Sequence, residues 1–384
     1  MESMSYSFPV LSELIEKHKS SHLSNVCLLC IQPVLIDSFY LIKGLREIGF
    51  EILGVISLDY STNDYVSQKL ADIKIKHIEA TAETIYSLAE EQLKHAIEYC
   101  KTNNKKLLLL ENGGYLTPIF HQKFQSEADV CIGTVEETKR GIWDVEETII
   151  TNPLLFPIIQ VADTFIKGIE SALIGEPVTM VLEKILRDTG LGIQGKKIGV
   201  IGYGWIGSGI ADALRARKAI VKVYDKDPRK MVKAYFDGCV TDSREQLIIN
   251  SEIIIGATGV NSIVGDDYEK MIDGVFIASA SSRRIEINTD ILTRLYNNTT
   301  KEHPWFENYV SKKGKTIRLI GRGTPINFLI DSMPNELMEI MMCDMLLALL
   351  DLVNKKISIK VQPAFIENER TIALSWLKTK NIIL

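Results

Sequence analysis

A chain of 384 residues is too long for one ordinary hydrophobic core and about right for two α/β domains. Its formal charge of −5 gives no electrostatic reason to bind nucleic acid, and no Lys/Arg cluster interleaved with aromatics argues otherwise. The expected partner is therefore a small molecule.

Residues 1–24 carry Glu13 and Glu16 among their apolar positions and lack a basic start followed by an apolar core, so no export signal is read and a cytoplasmic location is expected. From Asn25 the pattern is strand (Val26 to Ile31), helix (Ile36 to Ile48), strand (Glu51 to Leu58), a βαβ unit. Cys27 and Cys30 are the only close pair among six scattered cysteines. Inside an apolar strand they read as buried thiols, and no metal is assigned. An amphipathic segment, Thr84 to Cys100, precedes further strands at Lys106 to Leu110 and Asp129 to Ile132, so residues 25 to about 150 form a first parallel-sheet domain. Pro153 and Pro157 break the next apolar run. A helical stretch from Val161 to Arg187 then reads as the connection between domains, ending near Gly190 and Gly192.

The most specific stretch follows. Lys197 to Ile201 reads as a short buried strand, Gly202-x-Gly204-x-x-Gly207 as the tight turn after it, and Ile210 to Arg217 as a helix whose free amides face an anion. A second strand, Ile220 to Tyr224, ends in Asp225, at about the spacing where a carboxylate takes the adenosine ribose hydroxyls. The cofactor is read as NAD, held by Gly202, Tyr203, Gly204, Trp205, Ile206, Gly207 and Asp225. A carboxylate there would repel the 2′-phosphate of NADP, although Lys226, Arg229 and Lys230 moderate that preference.

Further strands are read at Glu252 to Ala257, Gly274 to Ala278 and Thr316 to Ile320. The loops after them, with Thr258, Gly259 and Ser282, should line the cofactor, since open α/β sheets present ligands at the carboxyl ends of their strands. The last long apolar stretch, Leu337 to Leu352, contains Glu339, Asp344 and Asp351, which a bilayer would tolerate poorly; it reads as a buried helix capped by Ser332 with Pro334 in its first turn, and no membrane partner is expected. The expected fold is α/β with two Rossmann-like parallel-sheet domains. Residues 1–165, completed by about 335–384, form a substrate domain, and residues 166–334 form the NAD-binding domain.

The order of motifs resembles the S-adenosylhomocysteine hydrolase family over nearly the whole chain. The stretches that carry the resemblance are Tyr60-Ser61-Thr62-Asn63-Asp64, Glu111-Asn112-Gly113-Gly114, Gly133-Thr134-Val135-Glu136-Glu137-Thr138, Pro157 to Thr164 with Lys167, the glycine turn with Asp225-Lys226-Asp227-Pro228, and Ala257-Thr258-Gly259. The resemblance implies a tightly held NAD that oxidises a ribose 3′-hydroxyl so that a thiol can leave by elimination. It matches Lys167 to the lysine that assists oxidation, Glu137 to the carboxylate that holds the sugar, and Thr138 to the cofactor set.

The elimination half departs from the family pattern. The family aspartate is Asn112 here, and an amide cannot take a proton at neutral pH as a carboxylate can. The segment Ile31-Gln32-Pro33-Val34 has Pro33 at the closest match to a family histidine, Ser282 stands for a second histidine, Thr324-Pro325-Ile326-Asn327 replaces a Gly-His-Pro loop, and Ser171-Ala172 replaces an Asp-Asn pair. None of the six histidines matches a family one, and His121 is expected on the helix after Asn112. The family's Lys- and Tyr-bearing tail is missing before Leu384, so a homodimer is expected rather than the family's tetramer.

The catalytic candidates are thus Lys167, Glu137 and Asn112. Arg283, Arg284 and Arg322 are surface salt-bridge formers or a fork for an anionic substrate. The leading expectation is an NAD-dependent enzyme doing redox chemistry at a hydroxyl, ketone or amine carbon of a small metabolite, anionic or nucleoside-like, without hydrolysis of S-adenosylhomocysteine. The alternatives are a lyase of the same family with its acid and base rebuilt from Ser282, Tyr115 or Lys167, and a catalytically silent NAD-binding regulator.

Overall fold

The computed structural model describes residues 7–19, 21–296, 298–330 and 333–382. The chain divides into two units, Met1–Lys167 with Pro334–Leu384, and Gly168–Met333. The α/β class and the pair of Rossmann-like sheets expected from the sequence are what the structure shows.

The first unit holds β1 (Val26–Ile31), β2 (Glu51–Leu58), β3 (His77–Ala80), β4 (Lys106–Glu111), β5 (Cys131–Glu136) and β6 (Ile158–Gln160), with an edge strand at Val361–Pro363. The order is edge strand, β6, β5, β4, β1, β2, β3, with every pairing parallel. Helices cover both faces, so β1 is buried at all six positions and reads as a continuous apolar run rather than an alternating one. All six cysteines are free and buried. The chain leaves β1 toward β2 on one side and returns to β4 on the other, which places a topological switch point between the loops after β1 and β4.

The late apolar helix spans Asn335–Asn354, longer than the sequence pattern indicated, and Pro334 is its N-cap rather than a first-turn residue. Ser332 lies outside the described residues. Three acids of this helix, Glu339, Asp344 and Asp351, are buried. Glu339 accepts the N–H groups of Val10 (2.7 Å) and Leu11 (3.0 Å), donors at the start of the helix Pro9–His18 that have no intrahelical acceptor. Asp351 accepts from Asn368 Nδ2 at 2.8 Å. Both oxygens of Asp344 lack a partner, and burial pushes this carboxyl up to about 7, with the charges of Glu369 and Asp351 adding and the Thr164 hydroxyl opposing. Among the described residues, no helix is long and apolar enough to cross a membrane.

Three sequence expectations need correction around the glycine turn and in the stretch before it. The strand placed at Asp129 to Ile132 is Cys131–Glu136, preceded by a 3-10 turn. Its polar residues disguised it, because Thr134 and Glu136 are buried by bonding to other loops. Residues 161–187 are helical only from Phe165, and in two segments. They form Phe165–Leu173 and Gly175–Asp188, separated at Ile174 where a Cβ on Gly175 would fall 2.1 Å from the Gly209 oxygen. The second of these helices contributes Val178, Val181, Leu182 and Ile185 to the core of the second unit. The helix after the glycine turn begins at Trp205, not Ile210.

The second unit contains β7 (Lys197–Ile201), β8 (Ile220–Tyr224), β9 (Val240–Thr241), β10 (Ile253–Gly256), β11 (Val275–Ser279), β12 (Asn298–His303), β13 (Phe306–Val310) and β14 (Thr316–Ile320). Their order is β12, β13, β14, β11, β10, β7, β8, β9. The sheet is mixed rather than wholly parallel, since β13 runs antiparallel to both β12 and β14. Here the switch point lies between β7 and β10, directly over the glycine turn.

Candidate functional site

The three glycines of the turn are required for different physical reasons. Gly202 has φ 99°, and a Cβ there would lie 2.5 Å from the Ala257 oxygen; one on Gly207 would lie 2.0 Å from the Gly202 oxygen, where helix and strand pack closest. Gly204 is different. A Cβ on it would meet nothing within 4 Å, so no part of the chain demands a glycine at this position. It sits as N-cap of the helix Trp205–Ala216, whose first N–H groups have no intrahelical acceptor. A space kept clear over free amides and a positive helix end fits a pyrophosphate.

Asp225 follows β8 and is nearly buried. One oxygen accepts from Tyr203 N at 2.7 Å and the other from Asp227 N at 2.8 Å, while Lys230 Nζ stands 3.5 Å away. The carboxylate thus fastens the glycine turn to the end of β8 and retains lone pairs for ribose hydroxyls. Two expected cofactor contacts can be made only by backbone. The Tyr203 side chain is buried, donating to Asp237 at 2.7 Å, and Ile206 packs against the core.

The loop after β10 is organised by a residue that the sequence reading did not single out. Glu286, fully buried, accepts from Thr258 N (2.6 Å), Gly259 N (2.6 Å) and Thr258 Oγ1 (2.8 Å), and bonds Ser262 Oγ. Burial raises its carboxyl above the ordinary range, and these donors oppose the rise. The only signal in the sequence was a carboxylate between Ile285 and Ile287. Ser282 lies in the turn after β11. Of the three arginines considered for an anion, Arg322 donates to Glu307 at 3.0 Å, so one arm of the salt-bridge reading is observed for it; Arg283 is buried and Arg284 exposed.

In the first unit, the residues singled out from separate motifs adjoin one another. Asn112 Nδ2 donates to Glu137 Oε2 at 2.8 Å, and Lys167 Nζ lies 3.3 Å from Glu137 Oε1. Glu137 is buried rather than part of a solvated charge run. Lys167 sits in the first turn of the helix Phe165–Leu173, where its N–H donates to Thr164 Oγ1 at 3.2 Å. Thr138, expected among the cofactor contacts, caps the helix Lys139–Thr148: its hydroxyl accepts from Gly141 N at 3.0 Å and donates to Glu136 at 2.7 Å. His121 is on the helix Leu116–Lys123, buried and bonded to Thr117 O and Leu155 N. Two more buried carboxylates, Glu111 and Glu136, are register partners at the ends of β4 and β5 and were also missed. Among the described residues, no group of three or more His, Cys, Asp or Glu could hold a metal.

A sequence model described as "S-adenosyl-L-homocysteine hydrolase, NAD binding domain" matches residues 178–332. Adenosylhomocysteinase from Pyrobaculum aerophilum is 29% identical over 97% of this chain and 90% of its own length, and that from Aeropyrum pernix 28% identical over 87% and 79%. The chain is thus similar to the S-adenosylhomocysteine hydrolase family over most of its length, and to that family's NAD-binding domain over residues 178–332. NAD is its cofactor, in keeping with the space the chain leaves clear over Gly204. An S-inosyl-L-homocysteine hydrolase from Methanopyrus kandleri is 28% identical over 78% of this chain and 70% of its own length. Among solved structures, NAD-dependent formate dehydrogenase from Staphylococcus aureus, in complex with NAD, has a TM-score of 0.50 at 13% identity, covering 86% of this chain and 97% of that one, a likeness of fold alone. The curated relatives it matches are named as enzymes, which supports enzyme status for this chain.

Proposed function

We propose that this chain performs NAD-linked redox chemistry at a hydroxyl-bearing carbon of a small, nucleoside-like metabolite, and that it does not hydrolyse S-adenosylhomocysteine. The observation that carries the proposal is the Asn112–Glu137–Lys167 cluster. Relatives named for adenosyl and for inosyl thioethers support a nucleoside-bearing ligand. The first unit is the substrate-holding one in this reading.

When bound, NAD supplies the two-electron acceptor for a hydride leaving the carbinol carbon. The chain's own groups handle the proton. Glu137, fixed by the Asn112 amide on one oxygen, accepts a substrate hydroxyl and holds Lys167 on the other. The Lys167 amine, in its neutral form, takes the hydroxyl proton as the carbonyl forms, which balances the hydride removed. The reverse direction returns both. Elimination of a thiol would need a further base beside the sugar. Asn112 cannot be that base, because its amide nitrogen is committed to donating and its oxygen does not accept protons near neutrality.

The test uses purified, NAD-loaded protein. With S-adenosylhomocysteine, a thiol assay should detect no homocysteine release. With adenosine or inosine as hydroxyl-bearing probes, absorbance at about 340 nm should rise as the cofactor is reduced, and Lys167→Met should abolish the rise while NAD stays bound. Robust thiol release would overturn the proposal.

A further inference from the structure

Four donors converge on the Glu136 carboxylate. Oε1 accepts from Gly113 N (3.0 Å), Thr138 N (2.7 Å) and Thr138 Oγ1 (2.7 Å), and Oε2 accepts from Gly114 N (2.9 Å). Gly113 and Gly114 directly follow Asn112, and Thr138 directly follows Glu137. One side chain, 1% exposed, therefore ties the turn that carries Asn112 to the turn that carries Glu137.

The two turns also touch through their backbones. A Cβ on Gly114, whose φ is 65°, would fall 2.5 Å from Gly141 Cα, and one on Gly141 would fall 2.3 Å from the Glu136 carboxyl carbon. Contact this close leaves no room for side chains at either glycine and needs an acceptor at its centre for the N–H groups it buries. Glu111, one strand over, provides a contrast. Its carboxylate takes Tyr115 N (2.6 Å), Leu116 N (2.7 Å) and Thr117 N (2.6 Å), all at the start of a single helix, and bridges nothing across the Asn112–Glu137 pair.

We infer that Glu136 is a positioning residue: by clamping the two turns it sets the Asn112–Glu137 hydrogen bond and the aim of Glu137 at Lys167, without touching a ligand itself. Glutamine cannot substitute, because its NH₂ would face N–H donors with a donor. Aspartate is one methylene short and should hold only part of the donor set.

The inference rests on the reading of Asn112, Glu137 and Lys167 as one site, and its test needs no substrate. Amide hydrogen exchange, resolved to single residues on the full NAD-loaded chain, should be at least about tenfold faster at Gly113, Gly114 and Thr138 in Glu136→Gln, with Leu116 and Thr117 unchanged. Glu111→Gln should give the opposite pattern. Acetylation of the Lys167 amine by a small reagent, read by peptide mass, should rise in Glu136→Gln toward the level in Glu137→Gln and fall back part of the way in Glu136→Asp. Should Glu136→Gln not fold, Gly141→Ala drives a methyl into the same carboxylate and should reproduce the exchange pattern. Wild-type exchange at Gly113 and Gly114, or equal loosening of both donor sets, would overturn the clamp. If the exchange pattern holds and nucleosides fail to reduce the cofactor, the proposed function falls and the clamp stands.

Discussion

The Asn112 amide donates to the Glu137 carboxylate across 2.8 Å. That bond defines what the position tolerates. Aspartate at 112 would set carboxylate against carboxylate in a buried site, where two like charges cannot both ionise without cost. Asn112→Asp should therefore lose about 1–3 kcal/mol more stability, relative to wild type, at pH 8 than at pH 5, where the pair can share a proton. Urea unfolding at the two pH values measures this, and an equal loss at both would count against the geometry.

The glycines of the nucleotide turn give a second prediction, because they differ in what surrounds them. Gly204→Ala should leave the melting temperature near wild type while weakening NAD binding, since its methyl would enter space the chain leaves clear. Gly207→Ala should instead destabilise the second unit by roughly 1–3 kcal/mol, its methyl colliding with the Gly202 oxygen. Calorimetric melting and NAD titration of both variants would separate the effects. Tight NAD binding by Gly204→Ala would remove the pyrophosphate from this turn.

Asp225 holds Tyr203 N and, in the proposed reading, is also set against the adenosine ribose. Asp225→Ala should weaken NAD binding about tenfold to a hundredfold, corresponding to ~1–3 kcal/mol. Wild type should bind NADP less tightly than NAD in the same titration. Unchanged NAD affinity in the variant would show that the carboxylate serves the turn alone.

Asp344 predicts a pH dependence with a definite sign. Its carboxyl is pushed up to about 7 from an unfolded value of 3.8, so the folded chain keeps a proton that the unfolded chain releases. The Thr164 hydroxyl gives limited relief, because its proton is committed to Val161 O at 3.0 Å. Stability from this group is complete below about pH 4 and drains away as pH rises through about 7. Asp344→Asn, which keeps the shape, should flatten the pH profile of unfolding and exceed wild type at pH 8 by up to roughly 3 kcal/mol. Parallel profiles for the two proteins would show that Asp344 does not titrate in this range. Glu286 and Glu136, both raised by burial and opposed by the donors they accept, contribute slopes of the same sign and will remain.

What could be read from the sequence was what announces itself locally. The glycine turn is legible because positive φ and backbone contact restrict positions 202 and 207 to one residue type. The clustering of Asn112, Glu137 and Lys167 was legible only as three separate positions in a motif order. The roles of Glu136, Glu111 and Glu286 were not legible, since most of their donors are backbone N–H groups and no side-chain pattern records such a bond. The hairpin of β12 and β13 escaped for a related reason: Thr299, Thr300, Lys301 and Glu302 are all exposed, so nothing alternates there, and the pairing with β13 defines the strand. The need for glycine at 175 lies in its close approach to Gly209, a tertiary distance with no local trace.

Glu339 supplies the acceptor for Val10 and Leu11, more than three hundred residues earlier in the chain. On a ribosome, the helix Pro9–His18 would emerge with those two amides unanswered and wait for residue 339, on the order of half a minute at ordinary elongation rates. All eight strands of the second unit are synthesised inside that interval. The birth order of the two units is thereby inverted relative to the order of the chain: the later-encoded unit can close first, while the earlier one stays open until the helix Asn335–Asn354 arrives.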